Sequence, residues 1–102
     1  MKREFVTFAD FYSYYLREHS KTITKLFHFI GTFLFIIFFI LYIESSETKY
    51  IVIGPVCGYG FAWFSHFFFE NNKPATFKYP FYSLIADFYM FYQIITGKIK
   101  IF

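Results

Sequence analysis

The sequence predicts an all-α integral membrane protein: an amphipathic N-terminal helix, a transmembrane helical hairpin and a further membrane-embedded helix. Apolar residues make up 57% of the 102 residues and charged residues only 17%, against roughly 45–50% and about 25% in soluble domains. The apolar residues form long runs, and short polar segments separate them. A chain of this length is a single domain, and it is too small to bury so much apolar surface in water.

The charge and cysteine content exclude several classes of protein. The formal net charge is only +3, and no basic stripe runs along the chain, so a nucleic-acid partner is not expected. The single cysteine, Cys57, excludes an internal disulfide and a CxxC zinc or redox motif. Membrane lipid is the partner that such an apolar chain favours.

The first predicted helix covers approximately residues 7–19 and has two different faces. Thr7 and Asp10 have the spacing of a capping box at its start. Aromatic residues recur at helical spacing on one face, whereas charged residues lie on the other. We expect this helix to lie at a membrane surface, and packing within a soluble helical protein is the alternative. The apolar face consists of Phe8, Phe11, Tyr12, Tyr15 and Leu16.

Two long apolar segments form the predicted hairpin, with helices at approximately residues 25–43 and 50–70. Each is close to the about 20 residues that a helix needs to cross a bilayer, and a short polar loop joins them. Gly54 and Pro55 are expected to kink the second helix. Gly54 and Gly58 form a Gly-x-x-x-Gly motif, which allows close contact between helices.

The fourth predicted helix, approximately residues 80–96, carries an acidic residue near its centre. Pro80 suits the first turn of this helix, and Gly97 ends it. Ser83, Asp87 and Met90 share one face by their spacing. Because a charged side chain avoids lipid, this face should contact protein or water. The sequence leaves open whether this helix crosses the membrane.

The positions of the basic residues predict the orientation in the membrane. Lys2, Arg3 and three further basic residues precede the first span, and Lys73 and Lys78 follow the second. By the positive-inside rule, the N-terminus and the loop of residues 70–78 are cytoplasmic. The membrane is the bacterial cytoplasmic membrane or the endoplasmic reticulum, depending on the host.

Three histidines and one glutamate are predicted to meet at the cytoplasmic end of the bundle. His19 ends the surface helix, His28 lies near the start of the first span, and His66 lies near the end of the second. Glu70 follows His66 by four residues, so both project from one side of a helix. Imidazoles with a carboxylate suit Fe(II), Zn or Cu, and such a set with open positions is typical of non-haem Fe(II) oxygenases. Two alternatives stay open: histidines that bond only to headgroups or backbone, and a b-type haem with His28 and His66 as axial ligands.

The polar loop beside these histidines is a candidate substrate-binding segment. Asn71, Asn72 and Thr76 could form hydrogen bonds with a ligand. Lys73 or Lys78 could pair with a carboxylate. An ordinary interfacial turn, whose lysines bind anionic lipid, is an equally favoured alternative.

Four short motifs occur in a fixed order along the chain. They are Tyr14-Tyr-Leu-Arg-Glu-His19, Lys25-Leu-Phe-His28-Phe-Ile-Gly31-Thr32, His66-Phe-Phe-Phe-Glu70-Asn-Asn-Lys-Pro74-Ala75-Thr76 and Ser83-x-x-x-Asp87. This ordered set resembles the Mpo-type 2-hydroxy fatty acid dioxygenase family, a membrane family first catalogued as a domain of unknown function. The resemblance extends from about Phe5 to Gly97.

The resemblance implies an activity and the residues that carry it. The characterised fungal member is an Fe(II)-dependent dioxygenase of the endoplasmic reticulum membrane, which shortens a 2-hydroxy fatty acid by one carbon in phytosphingosine breakdown. By this resemblance, the chain uses Fe2+ and O2 on a lipid-borne 2-hydroxy fatty acid. His19, His28 and His66 match the iron-binding histidines, and Glu70 matches the acid after the last of them. Asp87 is a candidate for orienting a ligating histidine.

The sequence also departs from the family's pattern. Ser65 precedes His66 where many members have glycine, and the chain is shorter than the fungal enzyme. Gly31, Pro74 and Ala75 match structural positions, so the metal site could be kept while the substrate differs. The competing hypothesis is a non-catalytic small membrane protein, such as a scaffold or accessory subunit, whose histidines only anchor the interface.

Overall fold

Four α-helices make up most of the protein, whose computed structural model describes residues 5–100. A π-helical turn follows the third helix, and a 3-10 turn precedes the fourth. The elements are α1 (Phe8–Arg17), α2 (Thr22–Ser45), α3 (Lys49–Ser65), the π-helical turn (His66–Glu70), the 3-10 turn (Ala75–Phe77) and α4 (Pro80–Ile95). The all-α prediction is therefore confirmed. Lys2 and Arg3, which contributed to the predicted orientation, lie outside the described residues.

The helix α1 begins at a side-chain cap and buries one aromatic face. The Thr7 hydroxyl accepts a hydrogen bond from the Asp10 backbone N–H at 3.2 Å, as the capping box predicts. The α1 face packs against α4 and the segment before it, and Tyr12 Oη donates to Gln93 Oε1 at 2.5 Å. This contact region holds the buried apolar core of the described residues. The core consists of Phe11, Tyr12, Tyr15, Ala75, Tyr79, Ala86 and Met90.

The α2–α3 hairpin is joined by a short turn and packs closely through glycines. Ser46 adopts a left-handed backbone conformation with φ 60° and ends α2. A Cβ atom on Gly31 would lie 2.9 Å from the carbonyl oxygen of Gly58. A Cβ atom on Gly54 would lie 3.3 Å from the Cβ atom of Phe38. Gly54 and Gly58 of α3 therefore face α2, and they allow the two backbones to approach closely.

Two helical stretches are long and apolar enough to cross a membrane. One is Thr22–Ser45, and the other is Lys49–Glu70, which joins α3 to the π-helical turn. Only 17% and 22% of their most apolar windows are buried, so most of their side chains face outward. Such extensive apolar exposure is unusual on a soluble monomer, because large apolar patches are normally covered by a partner or by lipid.

The helix α4 has 16 residues and turns one polar-containing face inward. Pro80 occupies its first turn, and Gly97, with φ 81°, follows its end. Ser83 and Met90 are buried, and Asp87 lies on the same face beside His28. The shared face predicted from the spacing is thus confirmed, and it contacts protein.

The π-helical turn at His66–Glu70 changes the direction of the side chains that follow α3. It ends at Asn71, which has a left-handed φ of 57°. The Asn72 backbone N–H donates to the His66 carbonyl oxygen at 3.0 Å and closes the turn. A π turn is wider than an α turn. The segment from His66 to Glu70 is therefore not the α-helical continuation that the sequence analysis expected.

Candidate metal centre

Three separate elements each bring one histidine to the same buried point. His19 lies two residues after the end of α1, His28 lies in the second turn of α2, and His66 opens the π-helical turn. Their exposed fractions are 0%, 5% and 1%. Since buried polar groups are almost always paired, each of these rings requires a polar partner within the protein.

The Nε2 atoms of the three rings point at one another. His19 Nε2 lies 3.0 Å from His28 Nε2 and 2.9 Å from His66 Nε2. His28 Nε2 lies 3.3 Å from His66 Nε2. The three nitrogens form a nearly equilateral triangle, and a small cation near its centre could bind all three.

The other ring nitrogen of each histidine faces a hydrogen-bond acceptor. His19 Nδ1 lies 2.6 Å from the Tyr15 carbonyl oxygen. His66 Nδ1 lies 2.7 Å from Asn72 Oδ1, and His28 Nδ1 lies 3.3 Å from Asp87 Oδ1. We assign the proton of each neutral ring to Nδ1, because these acceptors require a donor. This tautomer leaves the Nε2 lone pair free, as in histidines that bind metals.

The resulting arrangement is unfavourable without a cation. Three Nε2 lone pairs face one another, and three acceptors cannot satisfy one another by hydrogen bonding. Protonation is opposed as well, because burial, together with the neighbouring His28 and His66, lowers the pKa of His19 well below its ordinary value. A bound metal ion satisfies all three nitrogens at once.

The spacing of the nitrogens fits a transition-metal ion. Metal–imidazole bonds of about 2.0–2.1 Å separate two nitrogens by about 2.9 Å at a right angle and about 3.3 Å at the tetrahedral angle. The observed separations of 2.9 to 3.3 Å cover this range. Neutral imidazoles suit Fe, Zn and Cu alike, so the donor set supports a metal site without choosing its metal.

The same distances disfavour the haem alternative. Axial ligands lie on opposite sides of the iron, so two Fe–N bonds of about 2.0 Å separate their nitrogens by about 4 Å, with the macrocycle between them. His28 and His66 have their Nε2 atoms 3.3 Å apart, and His19 lies beside both. This geometry leaves no space for a porphyrin between the two rings.

Asp87 supports His28 and is itself held by a tyrosine. The Tyr15 hydroxyl donates a hydrogen bond to Asp87 Oδ1, and it lies 3.4 Å from His28 Nδ1. Burial and the Asp87 charge raise the pKa of Tyr15 well above its ordinary value, so the hydroxyl keeps its proton and remains a donor. Asp87 therefore lies where it could orient His28 as a metal ligand, the role that the sequence analysis gave it as a candidate.

Glu70 lies away from the three histidines and holds the start of α2. Its Oε2 accepts hydrogen bonds from the Lys21 backbone N–H and the Thr24 hydroxyl, both at 2.7 Å. Its Oε1 accepts a bond from the Ser20 hydroxyl at 3.1 Å. The structure therefore does not bring Glu70 into the histidine cluster, because its carboxylate is hydrogen-bonded at the start of α2.

The three substrate-binding candidates occupy different environments. Asn72 accepts from His66 Nδ1, and its amide donates to the Glu18 carbonyl oxygen at 3.2 Å. Thr76 lines the small cavity beside the histidines. Lys73 is exposed on the loop. The sequence analysis missed that Asn72 orients His66, because an asparagine pair indicates the end of a helix but not which ring the next side chain will meet.

A cavity of about 10 Å³ adjoins the histidines, which is room for about one water molecule. Trp63 and Ser83 line it. Within residues 5–100, Trp63 Nε1 and Ser83 Oγ are the buried side-chain polar atoms without a hydrogen-bond partner. Unpaired buried donors are costly, so their position beside a candidate metal centre indicates a place for an oxygen-bearing ligand.

The fold and the centre together define a class: a small all-helical protein with a buried three-histidine site of metal-binding type. The chain belongs to the 2-hydroxy-palmitic acid dioxygenase Mpo1-like family, whose sequence model matches residues 5–99. The resemblance found in the sequence motifs is thus confirmed. No curated protein and no solved structure matches the chain significantly.

Proposed function

We propose that the chain is an Fe(II)-dependent membrane dioxygenase that converts 2-hydroxy fatty acids into acids one carbon shorter. The observation that carries the proposal is the convergence of the three buried Nε2 atoms. The family name, which describes a 2-hydroxy-palmitic acid dioxygenase, supports iron as the metal and a 2-hydroxy acid as the substrate. His19, His28 and His66 are the proposed ligands.

The proposed reaction balances without an added reductant. C1 of the 2-hydroxy acid leaves as CO2, and C2 becomes the carboxyl carbon of the product. One molecule of O2 is consumed, and one molecule of water forms. His19, His28 and His66 would hold the iron, which would supply the one-electron chemistry that allows O2 to react with an organic acid.

The chain's own residues orient the centre and keep it dry. The Tyr15 carbonyl, Asp87 and Asn72 each fix one imidazole through its Nδ1 proton. Buried aromatic residues around His19 exclude water, since Tyr15 stacks on its ring at a centroid distance of 4.1 Å. Such packing and outer hydrogen bonds hold metal ligands in place before the metal binds.

Two loop residues are proposed to act on the substrate. Thr76 lines the cavity and can form a hydrogen bond with the polar head of a substrate. Lys73, which is exposed, can attract a carboxylate to this end of the bundle. Asn72, also a candidate from the sequence, acts through its bond to His66. Glu70 supports the site by joining the π-helical turn to α2.

The exposed apolar helices support a location in the membrane. We propose that α2 and α3 span it as a hairpin, with the histidine end and the loop of residues 70–78 on the cytoplasmic side. The exposed fractions of Ile43, Val56 and Phe68 are 62%, 65% and 68%, which is favourable in lipid and costly in water. A lipid-borne substrate could then reach the centre without crossing bulk water.

Metal analysis combined with a product assay tests this function. The protein is purified anaerobically in detergent, beside His66→Ala and the control Glu47→Gln, which changes an exposed residue of the hairpin turn. We expect about one iron per chain in the wild type and in Glu47→Gln, and none in His66→Ala. The two iron-containing proteins should convert 2-hydroxy palmitate with O2. Stoichiometric zinc that cannot be exchanged for iron would overturn the dioxygenase assignment. Absence of metal after reconstitution with Fe(II) would favour a non-catalytic scaffold or accessory subunit.

A further inference from the structure

The cavity beside the histidines and two crevices between α2, α3 and α4 follow one another and share lining residues. The cavity beside the histidines shares Tyr59 and Asp87 with a narrow crevice of about 30 Å³. That crevice shares Phe35 and Phe88 with a wider one of about 370 Å³. We call the narrow and wide crevices together the tail groove.

The tail groove leads away from the centre along α2. Phe39 lines its far end and follows His28 by eleven residues in one continuous helix. At a rise of about 1.5 Å per residue, the groove extends about 16 Å beyond the histidine. Its wide part is lined by apolar side chains, which include Ile36, Ile51 and Phe88.

We propose that the tail groove binds the alkyl tail of the molecule whose polar head lies at the metal centre. This proposal rests on the proposed function. A long-chain acid needs a polar end near the histidines and an apolar path that starts there, and the shared lining residues provide this continuity. The volume of the wide part is within the usual range of ligand sites, about 300–1,000 Å³.

The narrow crevice determines which tails pass. Tyr59 and Asp87 lie at its polar end, and Leu84 and Gly58 line its walls on α4 and α3. The lack of a side chain at Gly58 helps to keep the passage open, because a Cβ atom there would lie 3.6 Å from the Phe35 ring. A larger residue at Leu84 should therefore obstruct long tails and spare short ones.

A pair of neighbouring substitutions tests the tail groove. Leu84→Phe enlarges a lining residue, whereas Ile85→Phe makes a comparable change at an exposed residue that does not line the groove. We expect Leu84→Phe to lower kcat/KM for 2-hydroxy palmitate by about tenfold or more, with iron content and turnover of 2-hydroxy butanoate, whose tail ends before the narrow crevice, kept. Ile85→Phe should match the wild type on both acids. An unchanged chain-length preference in Leu84→Phe would overturn the proposal.

A second pair of substitutions, on α3, tests the same groove if Leu84→Phe does not fold. Gly58→Ala narrows the passage from α3, and Gly60→Ala adds the same methyl group where no heavy atom lies within 4 Å. Only Gly58→Ala should weaken selection for long tails. The same preference for long over short acids in both variants, with iron retained, would contradict the inference.

A binding measurement separates this inference from the proposed catalysis. Trp63, the single tryptophan of the sequence, lines the cavity at the start of the groove. Fatty acids brominated near the head should quench its fluorescence more strongly than acids brominated at the tail end, even in iron-free protein. Equal quenching by both would place the tail elsewhere, for example in the surrounding detergent or lipid, and would overturn the proposal whether or not the protein is active.

A different observation supports an assignment for the polar head. Ser83 is 2% exposed, and its hydroxyl, like Trp63 Nε1, has no hydrogen-bond partner among the described residues. Both residues line the cavity beside the histidines. We infer that these two donors hold a carboxylate oxygen of the substrate, and so select acids over the corresponding alcohols.

Kinetics and stability together test this head-binding role. Ser83→Ala should raise KM for 2-hydroxy palmitate about tenfold with kcat and iron content nearly kept, since it removes one hydrogen bond to a charged group. The variant should unfold at the same or a higher temperature than the wild type, because it removes an unpaired buried hydroxyl. A lower unfolding temperature with unchanged KM would show that the hydroxyl is only structural. Ser13→Ala, at an exposed position of α1, is the control.

Discussion

The Tyr15 hydroxyl donates a hydrogen bond to the Asp87 carboxylate and thereby connects α1 to α4 beside the three histidines. The carbonyl oxygen of the same tyrosine accepts the Nδ1 proton of His19. One residue therefore supports two ligands, His19 directly and His28 through Asp87. The metal centre depends on how α1 docks as much as on the hairpin.

The first prediction concerns this tyrosine. Tyr15→Phe should weaken metal affinity by about 10–100-fold, the usual effect of losing an outer hydrogen bond to a ligand. Tyr12→Phe is the matched control, because it removes another α1–α4 bond, that to Gln93, without touching the centre. Competition with a chelator measures both affinities. Equal losses would mean that α1 docking, rather than orientation of Asp87, determines affinity.

The second prediction distinguishes the two roles considered for Glu70. Glu70→Gln should lower the free energy of unfolding by about 1–3 kcal/mol, because its carboxylate accepts three hydrogen bonds at the start of α2. Stoichiometric metal should remain. Thermal unfolding in detergent and elemental analysis give the two readouts, with Glu47→Gln as the exposed control. Loss of the metal at unchanged stability would instead support Glu70 as a ligand.

The third prediction is the pH dependence of the metal-free protein. Burial lowers the pKa of His19 in the folded state, whereas the unfolded chain titrates near the ordinary value of about 6.5. Below that pH the unfolded state binds a proton that the folded state does not. The free energy of unfolding should therefore fall with acidification by up to about 1.4 kcal/mol per pH unit for this group, and stay flat above it. Thermal scans from pH 8 to 5 measure it, and His19→Gln should reduce the slope.

The fourth prediction concerns the close approach of the hairpin helices. Gly31→Ala should destabilise the protein by about 1–3 kcal/mol, because overpacking forces the backbones apart, and its Cβ would lie 2.9 Å from the Gly58 carbonyl oxygen. Gly60→Ala should be neutral or stabilising, since its Cβ meets no heavy atom within 4 Å. Unfolding temperatures of the two variants check this. Similar values for both would show that the hairpin tolerates a wider spacing.

The sequence predicted most of the architecture because its signals are local. The cap at Thr7, the polar loop between two apolar runs and the proline at the start of α4 each depend on neighbouring residues, and the structure confirms them. The Gly-x-x-x-Gly motif correctly indicated a close helix contact. Its partner, Gly31, was matched only as a structural position of the family, because a contact between helices leaves no periodic trace in either one.

The site was predicted in part, for a physical reason. The depth of each histidine in the hairpin indicated that His19, His28 and His66 meet, and the structure brings them together. Glu70 instead bonds to the start of α2, a contact between separate segments that its spacing from His66 does not predict. The roles of Tyr15 and Asn72 depend on contacts between separate parts of the fold, and residue spacing does not predict such contacts.

The three ligands are contributed by segments that a ribosome completes at different times. His19 and His28 emerge early, whereas His66 emerges only after the hairpin turn and α3 have been made. Asp87, which orients His28, comes later still. Because a site binds its metal strongly only when every ligand is in place, the proposed centre cannot hold its ion until the π-helical turn has been made, and docking of α4 then strengthens binding through Asp87. A chain that ends before His66 should therefore retain no ion.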